Sequence, residues 1–438
     1  MKIPSFLHSI QARIFHGWWI VALGAVINVI GLGITYNSIT VFFLPLKRDL
    51  GVSSAAISLL YGAARLEGGF DGPVVGYLID RFGSRRLIIM GATLAGAGFL
   101  LLSTVHDFLT FFLIYVLIVS FGSNCGFFSP VTTAVNKWFI RRRGIAFSII
   151  SASGSVGGMI MAPLLSYIIL DFGWRTGAIC AGLMILGVVL PAALRFKNSP
   201  EGMGLLPDGK LPLTHSAEES TRPGQEIAEV DFRVKEALRT AQFWLLMVSI
   251  SLRLVVTIAL NIHFVPLLVW TGMSEATSAY MVSLMSFISI LSSLAFGWLG
   301  DRWNKAFLCS LGTIPTLLAM VGLLCTRTPA ILYALPIGFA LTMGTAPLNW
   351  ALIGDFFGRR SYATLRGIMG TGYGFVTFFS PIYAGWVFDH TGSYELVLIT
   401  FAVVLLLTAI FFAVLRPPRH PGQSNQVSRA NARPKGDA

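Results

Sequence analysis

Stretches of about 20 apolar residues recur along nearly the whole chain, and a helix of that length crosses the hydrocarbon core of a bilayer. Inside that core a segment must satisfy its own backbone N–H and C=O groups, which a helix does. Spans are expected near 18–43, 55–78, 87–104, 109–134, 145–169, 177–194, 243–269, 276–299, 307–326, 330–353, 363–386 and 396–415. The chain is 55% hydrophobic and 12% charged, whereas soluble domains carry about 25% charged residues. A large soluble protein with buried helices would need far more polar cover. The expected fold class is therefore an all-α membrane protein with twelve transmembrane helices.

Residues 1–17 lack the charged, apolar and small-residue pattern of a cleaved leader, and the apolar run that follows is too long for one. Span 1 is thus expected to stay in the protein. Cys125, Cys180, Cys309 and Cys325 all fall inside spans at no metal-ligand spacing, and read as small apolar fillers. The net charge of +12 is distributed as a membrane protein distributes it. With twelve spans, one set of alternate loops collects about 26 of the Lys and Arg residues, a bias that marks the cytoplasmic side. The opposite set holds only Lys47, Arg48, Arg175 and Arg327. Both termini are expected in the cytoplasm of a bacterial inner membrane, with the basic tail (Arg416, Arg419, Arg429, Arg433, Lys435) anchoring to lipid headgroups rather than to nucleic acid.

Six spans precede a polar stretch carrying Pro200, Pro207, Pro212 and Pro223, and six follow it. The expected division is an N-terminal bundle (1–196), a cytoplasmic linker (197–240), a C-terminal bundle (241–416) and a basic tail (417–438), with a short interfacial helix near Asp231–Arg239. The halves echo each other. Gly76-x-x-x-Asp80-Arg81 follows span 2, and Gly297-x-x-x-Asp301-Arg302 follows span 8. Trp138-Phe139-x-Arg141-Arg142 precedes span 5 as Phe356-Phe357-x-Arg359-Arg360 precedes span 11. Pro163 and Asp171 recur as Pro381 and Asp389 at one offset (381 − 163 = 389 − 171 = 218). Parallel six-span repeats build carriers whose two bundles rock about a midplane site.

The run from Gly76 through Asp80, Arg81, Gly83, Arg85 and Arg86 resembles the loop 2–3 signature of the major facilitator superfamily. That resemblance implies two six-helix bundles and a motif that acts as a conformational latch. The physics is legible: Gly76 admits a close helix, Asp80 can bond a helix N-terminus or an arginine across the interface, and the arginines hold the loop at the membrane surface. Within the superfamily the chain resembles the monocarboxylate and oxalate–formate porter group. Gly17-Trp18-Trp19, Asn37–Phe43, Trp138-Phe139 with Arg141–Gly144 leading into Gly154–Gly158, and Phe172-Gly173-Trp174-Arg175 carry that likeness. Similar carriers place a lysine where Asn37 stands and an Asp/Arg pair, or a lone Arg, where Ser289 and Ser293 stand. Lactate–proton symport is therefore not carried over.

Charge inside a span costs about 2.5–3.5 kcal/mol at the bilayer centre, so each such group needs a cavity or a partner. Arg253 lies about 15 Å into span 7, near the midplane, and is the candidate for holding an anion, with Arg65 as the alternative. Glu67 and Asp71 share a face of span 2, whereas Arg65 points elsewhere. They, with His263, are candidates either for coupling or for an interhelical network. Tyr36, Asn37, Asn124, Asn349 and Trp350 are candidate cavity polars. Gly204–Lys210 matches a phosphate-binding spacing, but Leu211 replaces the needed hydroxyl. No cofactor, metal set or catalytic constellation is read, so the chain is expected not to be an enzyme. The expected function is secondary transport of a small organic anion, a carboxylate, by alternating access in a monomer, with a proton or counter-solute as coupling partner. A carrier of larger amphipathic compounds, suggested by the 33 Phe, and a transporter-like sensor are the alternatives.

Overall fold

The computed structural model describes residues 15–37, 39–52, 54–209 and 231–418. The middle of the linker and nearly all of the basic tail lie outside them. Helix α1 is His16–Leu32 and runs on into a π-helical turn, Gly33–Asn37. Then follow α2 (Ser54–Phe82), α3 (Ser84–Leu102) and α4 (Phe108–Trp138). The stretch Arg143–Arg195 holds two helices, α5 (143–172) and α6 (174–195), parted at Gly173, whose φ of 84° favours glycine. After the linker come α7 (Ala241–Trp270), α8 (Glu275–Gly300), α9 (Lys305–Cys325), α10 (Pro329–Phe357), α11 (Tyr362–Thr391) and α12 (Glu395–Val414). The twelve expected spans are thus twelve helices, and Val234–Leu238 is a short helix ahead of α7.

Local chemistry sets the helix starts. Asp107, Thr240, Ser274 and Asn304 each accept a backbone N–H of the first turn of α4, α7, α8 and α9. Pro329 opens α10, where its missing N–H costs nothing. At the α5–α6 corner, Asp49 accepts the Trp174 indole N–H at 3.1 Å and the Arg175 guanidinium at 2.7 Å. Those two donors hold its carboxyl below the usual carboxylate range.

Nine helical stretches among the described residues are long and apolar enough to cross a membrane, Arg143–Arg195 with length for two crossings. The two more polar helices, α2 and α11, pack against each other between the bundles. Where they cross, a side chain at Gly76 would strike the Ala363 carbonyl, and a methyl group added at Gly72 would come within 3.0 Å of the Gly367 carbonyl oxygen. The repeat-related crossing of α5 and α8 does the same with Gly144, Ser148 and Gly297. Asp80 then caps α11, accepting from Thr364 N (2.9 Å), Thr364 Oγ1 (2.7 Å) and Ala363 N (3.3 Å). Asp301 caps α5, accepting from Gly144 N (2.5 Å) and Ile145 N (3.1 Å). Each bundle thus places a carboxylate on the positive end of a helix in the other.

The linker reinforces this end. Asp208 accepts from the backbone of Ile140 and Arg141 at 3.1 and 2.9 Å, and Asp231 from Arg359 and Arg360 at 2.6 and 3.1 Å. Buried apolar side chains of both bundles merge here into one core, from Ile20 and Phe147 to Leu352 and Leu365. The other half of the C-terminal bundle, including Leu260, Met285, Phe339 and Leu398, has a separate core. The bundles are therefore closed on each other at the linker end.

Candidate functional site

Helices α4 and α10 are both interrupted near mid-length. In α4 the break is Phe127 (φ −110°, ψ −92°), and in α10 it is Thr345 (φ −82°, ψ −7°). The positions are repeat-equivalent (345 − 127 = 356 − 138 = 218). Broken helices at membrane depth occur where the backbone is buried in protein or borders a cavity, and carriers use them to build solute sites. Beside the α4 break, the π-turn of α1 brings Thr35 Oγ1 to Ser123 Oγ at 2.7 Å and leaves Tyr36 57% exposed.

Just past the α4 break, Phe128 and Ser129 meet the C-terminal bundle. The Arg366 guanidinium on α11 donates through Nη1 to Ser129 Oγ at 2.6 Å. Its Cζ lies 4.6 Å from the Trp350 ring centre and 4.9 Å from that of Phe128. The two rings meet edge to face at 6.1 Å, and Tyr373 lies 6.4 Å from Trp350. Arg366 is 9% exposed, and its Nε is buried without a hydrogen-bond partner. Among the described residues no carboxylate pairs with it.

Of the expected site residues, Tyr36, Asn124 and Trp350 border this region, half-buried or exposed. Asn37 lies in the π-turn, but its side chain, like that of Arg65, falls outside the described residues. Arg253 is not on the surface between the bundles: it is 1% exposed inside the C-terminal bundle, and its Nη1 donates to Thr345 Oγ1 at 2.6 Å. It braces the α10 break and does not meet Glu67 or Asp71. Asn349 is also enclosed, with Cys309 Sγ 3.9 Å from its Oδ1.

Glu67 and Asp71 do share a face, because one amide reaches both. Asn124 Nδ2 donates to Glu67 Oε2 at 3.2 Å and to Asp71 Oδ2 at 3.3 Å, and Ser120 Oγ donates to Glu67 at 2.6 Å. His263 ties three helices together: Nε2 meets the Pro381 carbonyl of α11 and Nδ1 the Tyr394 hydroxyl, each at 3.0 Å. In the Gly76–Arg86 motif and its repeat, Arg81 donates to Tyr77 Oη (2.9 Å), Gly83 takes φ 86°, Arg85 N donates to Asn198 Oδ1 (2.7 Å), and Arg302 Cζ lies 3.5 Å from the Trp298 ring centre. Arg86 is exposed.

Sequence reasoning passed over Arg366, Ser129 and Phe128. It also passed over Arg143, which is 1% exposed and pairs with Asp355 at 3.0 Å, while Lys305 reaches the other Asp355 oxygen at 2.7 Å. Position gave little signal, since Arg366 stands only four residues past the start of α11, close behind the loop charges Arg359 and Arg360.

The sequence profile of the Major Facilitator Superfamily matches residues 21–365 and 271–435. The chain belongs to that superfamily. Monocarboxylate transporter 12 of Mus musculus is 22% identical over 427 residues, covering 91% of this chain and 86% of that one. The Fujikurins efflux protein of Gibberella fujikuroi is 28% identical over 284 residues, 63% of this chain and 54% of that protein. Among solved structures, the superfamily transporter FucP in its outward conformation superposes with a TM-score of 0.66 at 15% identity, covering 91% of this chain and 99% of that chain. That last likeness is one of fold. The protein is thus an integral membrane transporter of major facilitator type, resembling monocarboxylate transporters, and not an enzyme.

Proposed function

We propose that this superfamily member carries a small organic anion, a carboxylate, by alternating access. One observation carries the substrate class. Where the two bundles meet, the C-terminal bundle buries an arginine, Arg366, that no carboxylate neutralises among the described residues. Glu67 and Asp71 of α2 turn instead to Asn124, and Glu67 also to Ser120. A buried guanidinium without a counter-charge is costly, and an anionic solute offsets that cost. The kinship with monocarboxylate transporter 12 points the same way. Purified protein should gain thermal stability with acetate or benzoate and none with choline or mannitol. Stabilisation by choline alone would overturn the anionic class.

A second reading, a carrier for larger amphipathic compounds, has the Fujikurins efflux protein and the rings of Tyr36, Phe128, Trp350 and Tyr373 in its favour. In either case the proposed orientation puts both termini and the linker in the cytoplasm of a bacterial inner membrane, because the linker-end loops hold the Lys and Arg excess. A periplasm-active reporter fused after Ala438 should then stay silent, and a strong signal would reverse the orientation.

A further inference from the structure

The geometry points to Arg366 as the group that both anchors the anion and reports its presence to the closed end of the transporter. This rests on the anionic reading above and adds to it a residue and a coupling route. A guanidinium has two usable edges. Nη1, on the Cδ side, is committed to Ser129 of the opposite bundle at 2.6 Å. The other edge, where Nε–H and an Nη2–H point the same way, carries no hydrogen bond among the described residues, and Nε is buried. That is the edge which takes a carboxylate in two-pronged fashion. The rings of Phe128 and Trp350 lie against the guanidinium and fix its plane.

The position of Arg366 gives the site a second property. It lies two and three residues past Thr364 and Ala363, whose N–H groups Asp80 caps from the opposite bundle. Phe128 and Ser129 belong to the N-terminal bundle and Trp350 to the C-terminal one, so closing the linker end is what encloses Arg366. The closed state therefore carries the cost of an uncompensated buried cation, and the open state, where water reaches the group, does not. An anion on the free edge removes that cost only where it exists, so it favours closure by its differential affinity for the two states. Arg253 has no such leverage, since its hydrogen bond to Thr345 stays inside one bundle.

The test follows hydrogen exchange of the Ala363 and Thr364 amides together with thermal stabilisation by benzoate and acetate. In wild type, benzoate should slow exchange of those amides. Arg366→Gln should weaken benzoate stabilisation by at least about tenfold, the worth of a charge-assisted pair. It should also leave the two amides protected with or without benzoate, because the cost of the buried cation is gone. Arg366→Lys, which keeps the charge and loses the fork, should weaken benzoate less than Gln does and retain some benzoate-dependent slowing. Ser129→Ala, which removes the acceptor that Arg366 Nη1 has in the closed state, should speed exchange of the two amides without benzoate and enlarge the slowing that benzoate brings. If benzoate and acetate stabilise wild type and Arg366→Gln equally, Arg366 is not the anchor, while the anionic reading stands. If neither anion stabilises wild type, the anionic reading itself falls. Faster amide exchange in Arg366→Gln without benzoate would overturn the coupling, since the arginine would then be holding the end closed.

Discussion

Replacing both capping carboxylates, Asp80→Ala with Asp301→Ala, should open the linker end while leaving each bundle folded. Each carboxylate satisfies backbone N–H groups at the start of a helix in the opposite bundle, and nothing within its own bundle depends on those bonds. Loss of an N-terminal cap costs about 0.5–2 kcal/mol, so the pair should cost about 1–4 kcal/mol of closure. At about 1.4 kcal/mol per tenfold, the open population should rise between several-fold and roughly a thousandfold. Hydrogen exchange at Gly144, Ile145, Ala363 and Thr364 should accelerate accordingly, with amides in the separate core around Leu260 and Phe339 unaffected. Gly76→Leu should act alike, because its side chain would strike the Ala363 carbonyl. In transport, both changes should lower turnover more than solute affinity. Unchanged exchange at all four amides in the double variant would show that the caps do not hold the end closed.

The symmetry behind this expectation was readable from the chain, because the constraint is local and repeated. A close crossing demands glycine at one place, and a helix start nearby demands a carboxylate four residues on. Gly76/Asp80 and Gly297/Asp301 therefore appear at matching loops in the sequence. What the motif left open was the partner of Asp80, a helix terminus or an arginine. Only the packing of α2 on α11 decides it, and it decides for the helix terminus. The breaks at Phe127 and Thr345 have a local signal that counting apolar spans passes over: Gly126 with Pro130 and Gly344 with Pro347 flank them, and each proline lacks the N–H that would carry the helix across.

The solute site was less legible for a related reason. Depth along a span is easy to count, and it singled out Arg253; which face of the helix meets the other bundle is not. Arg253 proved to point into its own bundle, toward Thr345. Arg366, close behind Arg359 and Arg360, merges with the loop charges when residues are counted along the chain. Its contact with Ser129 spans 237 positions in sequence, a separation that periodicity cannot bridge. The shared face of Glu67 and Asp71, which lets Asn124 reach both, is readable along the chain because they stand four residues apart on one helix.

Arg143 and Asp355 supply the other large expected effect. Arg143 is 1% exposed at the start of α5, and its Nη1 lies 3.0 Å from Asp355 of α10, so this ion pair also joins the two bundles. Lys305, whose side chain is 11% exposed, reaches the second Asp355 oxygen at 2.7 Å. One carboxylate thus serves two cations, and removing it leaves a guanidinium buried in the shared core. Breaking a buried pair from one side costs about 3–5 kcal/mol. The Asp355 side chain is 27% exposed, so solvent screening puts Asp355→Ala at or somewhat below the lower end of that range. Removing charge from both partners should cost far less, because the penalty comes from the unpaired ion and not from the absence of the pair. Arg143→Gln with Asp355→Asn should therefore recover most of the stability lost in Asp355→Ala and in Asp355→Asn alone. Lys305 would retain the field of Asp301 in the double variant. Thermal unfolding in detergent of wild type, Arg143→Gln, Asp355→Asn and the double variant gives the coupling energy, expected to exceed about 1 kcal/mol. Additive losses, or an Asp355→Ala variant within about 0.5 kcal/mol of wild type, would mean that this pair, despite its depth, behaves as a surface contact.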